Sequence, residues 1–91
     1  METTVTNGPG RLTFWWKVSS ESGYDYLSLF LDGVLQDRIS GEQNWAAKSV
    51  DVLTPRQKVR WEYSKDGSAV SGQDAGWVDQ VVFVADRKSV V

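Results

Sequence analysis

Histidine and cysteine are both absent from the 91 residues. Without them the chain has no disulfide, no thiolate or imidazole zinc site, no cysteine nucleophile and no Ser–His–Asp triad. Long apolar runs are missing too. The longest, Phe14–Trp16 and Val81–Ala85, fall far short of the roughly 20 residues a membrane helix needs, so no membrane insertion is expected. Met1-Glu2-Thr3-Thr4 carries neither a basic nor an apolar region, and no signal peptide is read there. Neither sign of charge dominates: ten basic and twelve acidic residues give a net charge of −2. The basic ones are scattered singly, which argues against a nucleic-acid surface.

Aromatic residues, by contrast, are plentiful: five Trp, three Tyr and three Phe. Such residues suit sheets better than helices. Hydrophobic content of 41% with 24% charged is ordinary globular composition. At 10.2 kDa the chain is one small domain, residues 1–91, with a thin core.

The apolar pattern has period two throughout. Leu12, Phe14, Trp16 and Val18 alternate with Thr13, Trp15, Lys17 and Ser19 after the turn signal Gly8-Pro9-Gly10. Leu27, Leu29 and Leu31 alternate with Tyr26, Ser28 and Phe30, and Asp32-Gly33 then predicts a hairpin into 34–40. Residues 41–44 read as a polar link. Weaker alternation over 45–53 ends at Thr54-Pro55, and 58–64 carries Val59, Trp61 and Tyr63 on one face. The last strand, 77–84, is apolar on both faces, with Trp77, Val81 and Phe83 on one and Val78, Val82 and Val84 on the other. These six strands predict an all-β antiparallel β-sandwich or partial jelly roll. Trp16 and Trp61 are expected in its core, and 86–91 is read as a frayed tail. The twelve residues 65–76 form the one long loop, a length that is usually functional or disordered.

Several strings in order resemble a β-sandwich repeat, of the jelly-roll or concanavalin A-like kind, found in large bacterial secreted and cell-surface proteins. They are Gly8-Pro9-Gly10, the run 12–19 (LTFWWKVS), Tyr24-Asp25-Tyr26-Leu27, Leu31-Asp32-Gly33, Ile39-Ser40-Gly41 and Asp74-Ala75-Gly76-Trp77-Val78-Asp79. The resemblance covers roughly residues 2–84. It implies a non-catalytic extracellular or cell-surface module; the lack of a leader leaves a cytoplasmic location open. In that repeat further strands precede the matching segment. The chain thus resembles its C-terminal two thirds, and Glu2-Thr3-Thr4-Val5 resembles the end of a preceding strand. Asn7 is an extra turn residue, and Arg11 stands where a small residue is commoner.

Two functions are weighed. The first is an interaction or assembly module that self-associates, as a dimer, through apolar sheet surface. Strands missing from the repeat would leave an edge to cover, unless Glu2–Thr6 fold back as an extra strand. The second is a carbohydrate-binding module using Trp15, Tyr24, Tyr26, Asp66 and Asp74, because aromatic rings on polar strand faces or in loops can stack on sugar. Asp79, sharing a face with Trp77, Val81 and Phe83, needs a partner. Backbone amides or Arg60 could serve. Resemblance to jelly-roll carbohydrate-binding modules implies instead a structural calcium held by Asp79 and Asp74, with Asp66 and Asn7 nearby. Carboxylates are available at Asp25, Asp37, Glu42 and Glu62, but nothing in the sequence pairs them for glycosidase chemistry. No enzyme is expected.

Overall fold

The computed structural model describes residues 1–65 and 75–86. Their seven strands are β1 (Glu2–Val5), β2 (Gly10–Ser19), β3 (Tyr26–Leu31), β4 (Val34–Ile39), β5 (Glu42–Val52), β6 (Gln57–Ser64) and β7 (Ala75–Ala85). They form two antiparallel sheets, ordered β1-β6-β3-β4 and β5-β2-β7. The all-β sandwich-like expectation holds, and this two-sheet fold is compatible with a β-sandwich.

The core lies between the sheets and follows from the alternation. Leu12, Phe14, Trp16 and Val18 of β2 meet Leu27, Leu29 and Leu31 of β3 and Val59 and Trp61 of β6. Phe14 is the hub: its ring stands edge-to-face against both Trp16 and Trp61, each centroid 5.3 Å away. Asp32 and Gly33 both adopt the left-handed conformation (φ 49° and 80°), the requirement of a tight two-residue hairpin. Asp32 adds a clasp, its Oδ1 accepting a 2.9 Å hydrogen bond from the Lys58 N–H.

Four boundaries differ from the sequence reading. A seventh strand, β1, pairs with β6 in register Glu2↔Arg60 to Val5↔Gln57 and buries only Val5. One buried side chain in four gives no readable period, but the strand is the fold-back of Glu2–Thr6 weighed from the sequence as the alternative to an open edge. Strand β5 begins at Glu42, because Ser19 and Val18 pair with Glu42 and Gln43 across a bulge; residues 42–44 are therefore not a link. Strand β7 begins at Ala75, opposite Ser19, two residues before the expected loop ends, and residues 66–74 of that loop lie outside the described residues. Finally, Asp86 is tied by its N–H to the Pro9 carbonyl at 3.0 Å, and the rest of the expected tail lies outside the described residues.

One open side of the sandwich is closed by charge. Lys48 pairs with core-facing Phe14 on β2 and Asp37 with core-facing Leu29 on β3, so both point inward from the edge strands β5 and β4. They meet at 2.7 Å. Partial burial of the Asp37 carboxyl raises its pKa. The Lys48 hydrogen bond, the Arg38 N–H at 2.8 Å and the Lys48 charge outweigh that and leave it below the ordinary value. A lowered folded-state pKa contributes stability above the unfolded value, about 3.9, that is lost as pH falls through the folded one. Asp37→Asn is therefore expected to destabilise at neutral pH and to flatten the loss of melting temperature below about pH 4. An acid limb parallel to wild type in a pH series of thermal melts would refute the pairing.

Candidate functional site

Strand β2 lies at the centre of the three-stranded sheet, so the residues between its core positions form the middle of an outer face. These are Arg11, Thr13, Trp15 and Lys17. Both neighbours carry one extra residue, β7 beside Phe14 and β5 beside Lys17. On β7, Gln80 and Val81 stand opposite the single Phe14, between the pairs Thr13↔Val82 and Trp15↔Asp79. On β5, Asn44 and Trp45 stand opposite the single Lys17, between Trp16↔Ala46 and Val18↔Gln43. Such bulges bend the strand and re-aim side chains.

The outer face thereby collects three of the five tryptophans. Trp15 and Trp45 are 42% and 41% exposed, and with Asp79 and Gln80 they line an open groove of about 330 Å³. Trp77 pairs with Lys17, whose ammonium stands 5.1 Å from the indole centroid. Gln80 holds a left-handed backbone, φ 52°, a conformation glycine adopts freely and other residues do not. Its N–H donates to Asp79 Oδ1 at 2.8 Å, orienting the carboxylate within the turn.

Of the residues singled out from sequence, the fold brings Trp15 and Asp79 together and separates them from the tyrosines. Tyr26 lies on the outer face of the other sheet. Arg38 covers its ring at 4.0 Å, and its hydroxyl donates to the Gly23 carbonyl at 3.0 Å. Phe30 is covered in the same way by Arg60, at 4.6 Å. Tyr24 sits in the β2–β3 loop, 61% exposed. Asp66 and Asp74 lie outside the described residues. The facing of β7 is corrected by the bulge: Asp79 shares its face with Trp15 and Trp77, while Val78 and Phe83 turn to the core. Asp79 is exposed and bonded to a backbone amide. Arg60 belongs to the opposite sheet, where it pairs with Glu62 at 3.4 Å.

Two site residues, Trp45 and Gln80, were missed by sequence reasoning. Trp45 between Asn44 and Ala46 breaks no alternation that could be read, and the extra residue is visible only once strands are paired. Among the described residues no group of three acidic, His or Cys side chains could hold a metal ion. Of the residues expected at a calcium, Asp79 lies in the groove, and Asp74 and Asp66 lie outside the described residues. The carboxylates open to catalysis are engaged one by one, Glu42 with the Ser19 hydroxyl, Asp37 with Lys48 and Glu62 with Arg60. Asp25 is buried in the β2–β3 loop beside Ser20, whose hydroxyl donates to the Asp25 carbonyl at 3.1 Å. No protein-family model, curated protein or solved structure matches the chain.

Proposed function

We propose that this chain is a non-catalytic interaction module, of the kind found in surface or secreted proteins, that assembles with a second copy of itself through strand β7. The observation that carries this reading is the character of the sheet edges. Strand β4 presents Asp37 and Arg38, β5 presents Glu42, Lys48 and Asp51, and β1 presents Glu2. Strand β7, eleven residues long, has Asp79 as its single charge. Its outward Val82 and Val84 are 52% and 63% exposed. Natural edges are blunted by charge, proline, bulges or cover; β7 has one bulge, at Gln80, and beyond it Val82–Ala85 is a regular uncharged run. Because β1 already occupies the outer edge of β6, β7 is, among the described residues, the edge left to cover. Two-fold pairing of β7 with its copy joins two three-stranded sheets into one of six, using the same surface on each subunit.

Sedimentation at micromolar concentration tests this. Wild type is expected at twice the 10.2 kDa chain mass. Val82→Lys with Val84→Lys places like charges across the two-fold, a destabilising pairing, and is expected to give folded monomers whose melting temperature no longer rises with protein concentration as that of wild type does. A wild type sedimenting as a monomer sinks the assembly reading.

A further inference from the structure

We propose that the groove between Trp15 and Trp45 is a binding site for an uncharged polysaccharide, with the indoles as stacking platforms and Asp79 and Gln80 as its hydroxyl-binding pair. The assembly proposed above does not carry this site: edge pairing extends the sheet in its own plane and leaves the outer face open. Trp15 and Trp45 are each about two-fifths exposed although buried positions exist nearby, and they flank one groove of about 330 Å³. That is at the small end of the roughly 300–1,000 Å³ typical of ligand clefts. A purely apolar partner would strand the carboxylate and carboxamide that share this lining, because polar groups buried without partners are costly. A pyranose satisfies both halves, offering an apolar C–H face to an indole and hydroxyls to its side.

The charges select the class of sugar. Among the described residues Asp79 is the one ionised group lining the groove, and it repels a polyanion. The nearest outward cation on β2, Lys17, stands over the Trp77 ring. Among the described residues no basic side chain is paired with Asp79, so its carboxylate is available as an acceptor. Gln80 supplies the second observation. It occupies a left-handed position (φ 52°) that glycine would fill without strain, and strained non-glycine positions concentrate where a side chain has a task. The task on the page is to bring a carboxamide, donor and acceptor at once, beside the carboxylate it helps to orient. Bulges on both sides of β2 fix these groups on sheet rather than on loops, which limits what binding must order.

Native affinity electrophoresis tests the site, with gels containing hydroxyethylcellulose, a β-1,3-glucan, xylan or galactomannan, and polygalacturonate as the acidic comparison. Wild type is expected to be retarded by at least one neutral polymer and not by polygalacturonate. Trp15→Ala and Trp45→Ala are each expected to weaken that retardation at least about tenfold, the loss a central tryptophan contact produces. Gln80→Gly should weaken it while leaving the melting temperature unchanged or higher, which separates lost binding from lost folding. The Val82→Lys, Val84→Lys double variant should be retarded as wild type is, whatever its sedimentation shows. Retardation by none of the four neutral polymers, by polygalacturonate alone, or equally in both tryptophan variants overturns the assignment. So does its loss in the double lysine variant.

Discussion

Trp16→Ala is expected to lower stability by about 3–5 kcal/mol, the range for deleting a buried large aromatic. Trp16 sits on the core face of the central strand β2, and its indole meets the Phe14 ring edge-to-face at 5.3 Å. Phe14 in turn meets Trp61 with the same geometry, so the truncation opens a cavity at one end of a three-ring stack and removes one of its two aromatic contacts. Such ring pairs contribute about 0.5–1.5 kcal/mol beyond the area they bury. Domains of this size are stable by about 5–15 kcal/mol in all, and the variant sits near the limit of folding. Trp16→Phe keeps a ring against Phe14 and should lose clearly less. Urea titration followed by circular dichroism reads both, leaving the remaining tryptophans as an independent fluorescence probe. A Trp16→Ala loss under about 1 kcal/mol would mean that the core face of β2 is assigned the wrong way round.

Gly10→Ala is the second large effect, and its origin is steric rather than conformational. Gly10 is buried at the start of β2, between Val52 and Ala85. A Cβ there would stand 2.4 Å from the Val84 carbonyl oxygen, 2.6 Å from Phe83 Cζ and 2.8 Å from Ala85 Cα. Two of those three atoms are backbone of β7, which can yield only by moving the strand. Overpacking of this kind costs about 1–3 kcal/mol, and valine at the same place costs more. Gly33 is the control: it has open space around its missing Cβ and a φ of 80°. Gly33→Ala should therefore cost only the left-handed penalty of about 1–2 kcal/mol, with no dependence on side-chain size. Should Gly10→Val prove no worse than Gly33→Ala in the same melts, the close approach of β7 to Gly10 is refuted.

Much of this architecture could be read from alternation alone, and the exceptions have specific causes. Strand β2 shows one clean period because it is central, with buried neighbours on one side of its plane and solvent on the other. The Asp32–Gly33 hairpin announced itself through residues that tolerate positive φ. Gly10, by contrast, reads as part of a turn, since closeness of backbones leaves no mark in composition. The facing of β7 failed for one residue: Gln80 is inserted into an otherwise regular strand, so any strict period of two inverts everything beyond it. Of the groove, Trp15 and Asp79 were visible as an outward aromatic and a carboxylate among apolar residues. Trp45 and Gln80 were not, because each lies in a bulge and a bulge exists only relative to a partner strand. Tyr26 looked like a free platform because the Arg38 that covers it comes from the next strand, through a register the sequence does not print.

The inserted Gln80 also bears on how far an edge such as β7 can propagate. Taken out, it leaves Asp79 followed by Val81, and inward and outward positions then alternate unbroken from Gly76 to Ala85. A long, straight, nearly uncharged edge of that kind is a seed for fibrils, in which each added chain presents a fresh template to the next. With Gln80 in place the strand bends and twists at its middle, and the regular run beyond the bend is only Val82–Ala85. Deleting Gln80 is therefore expected to straighten β7 and to lengthen the regular, nearly uncharged run that its edge presents.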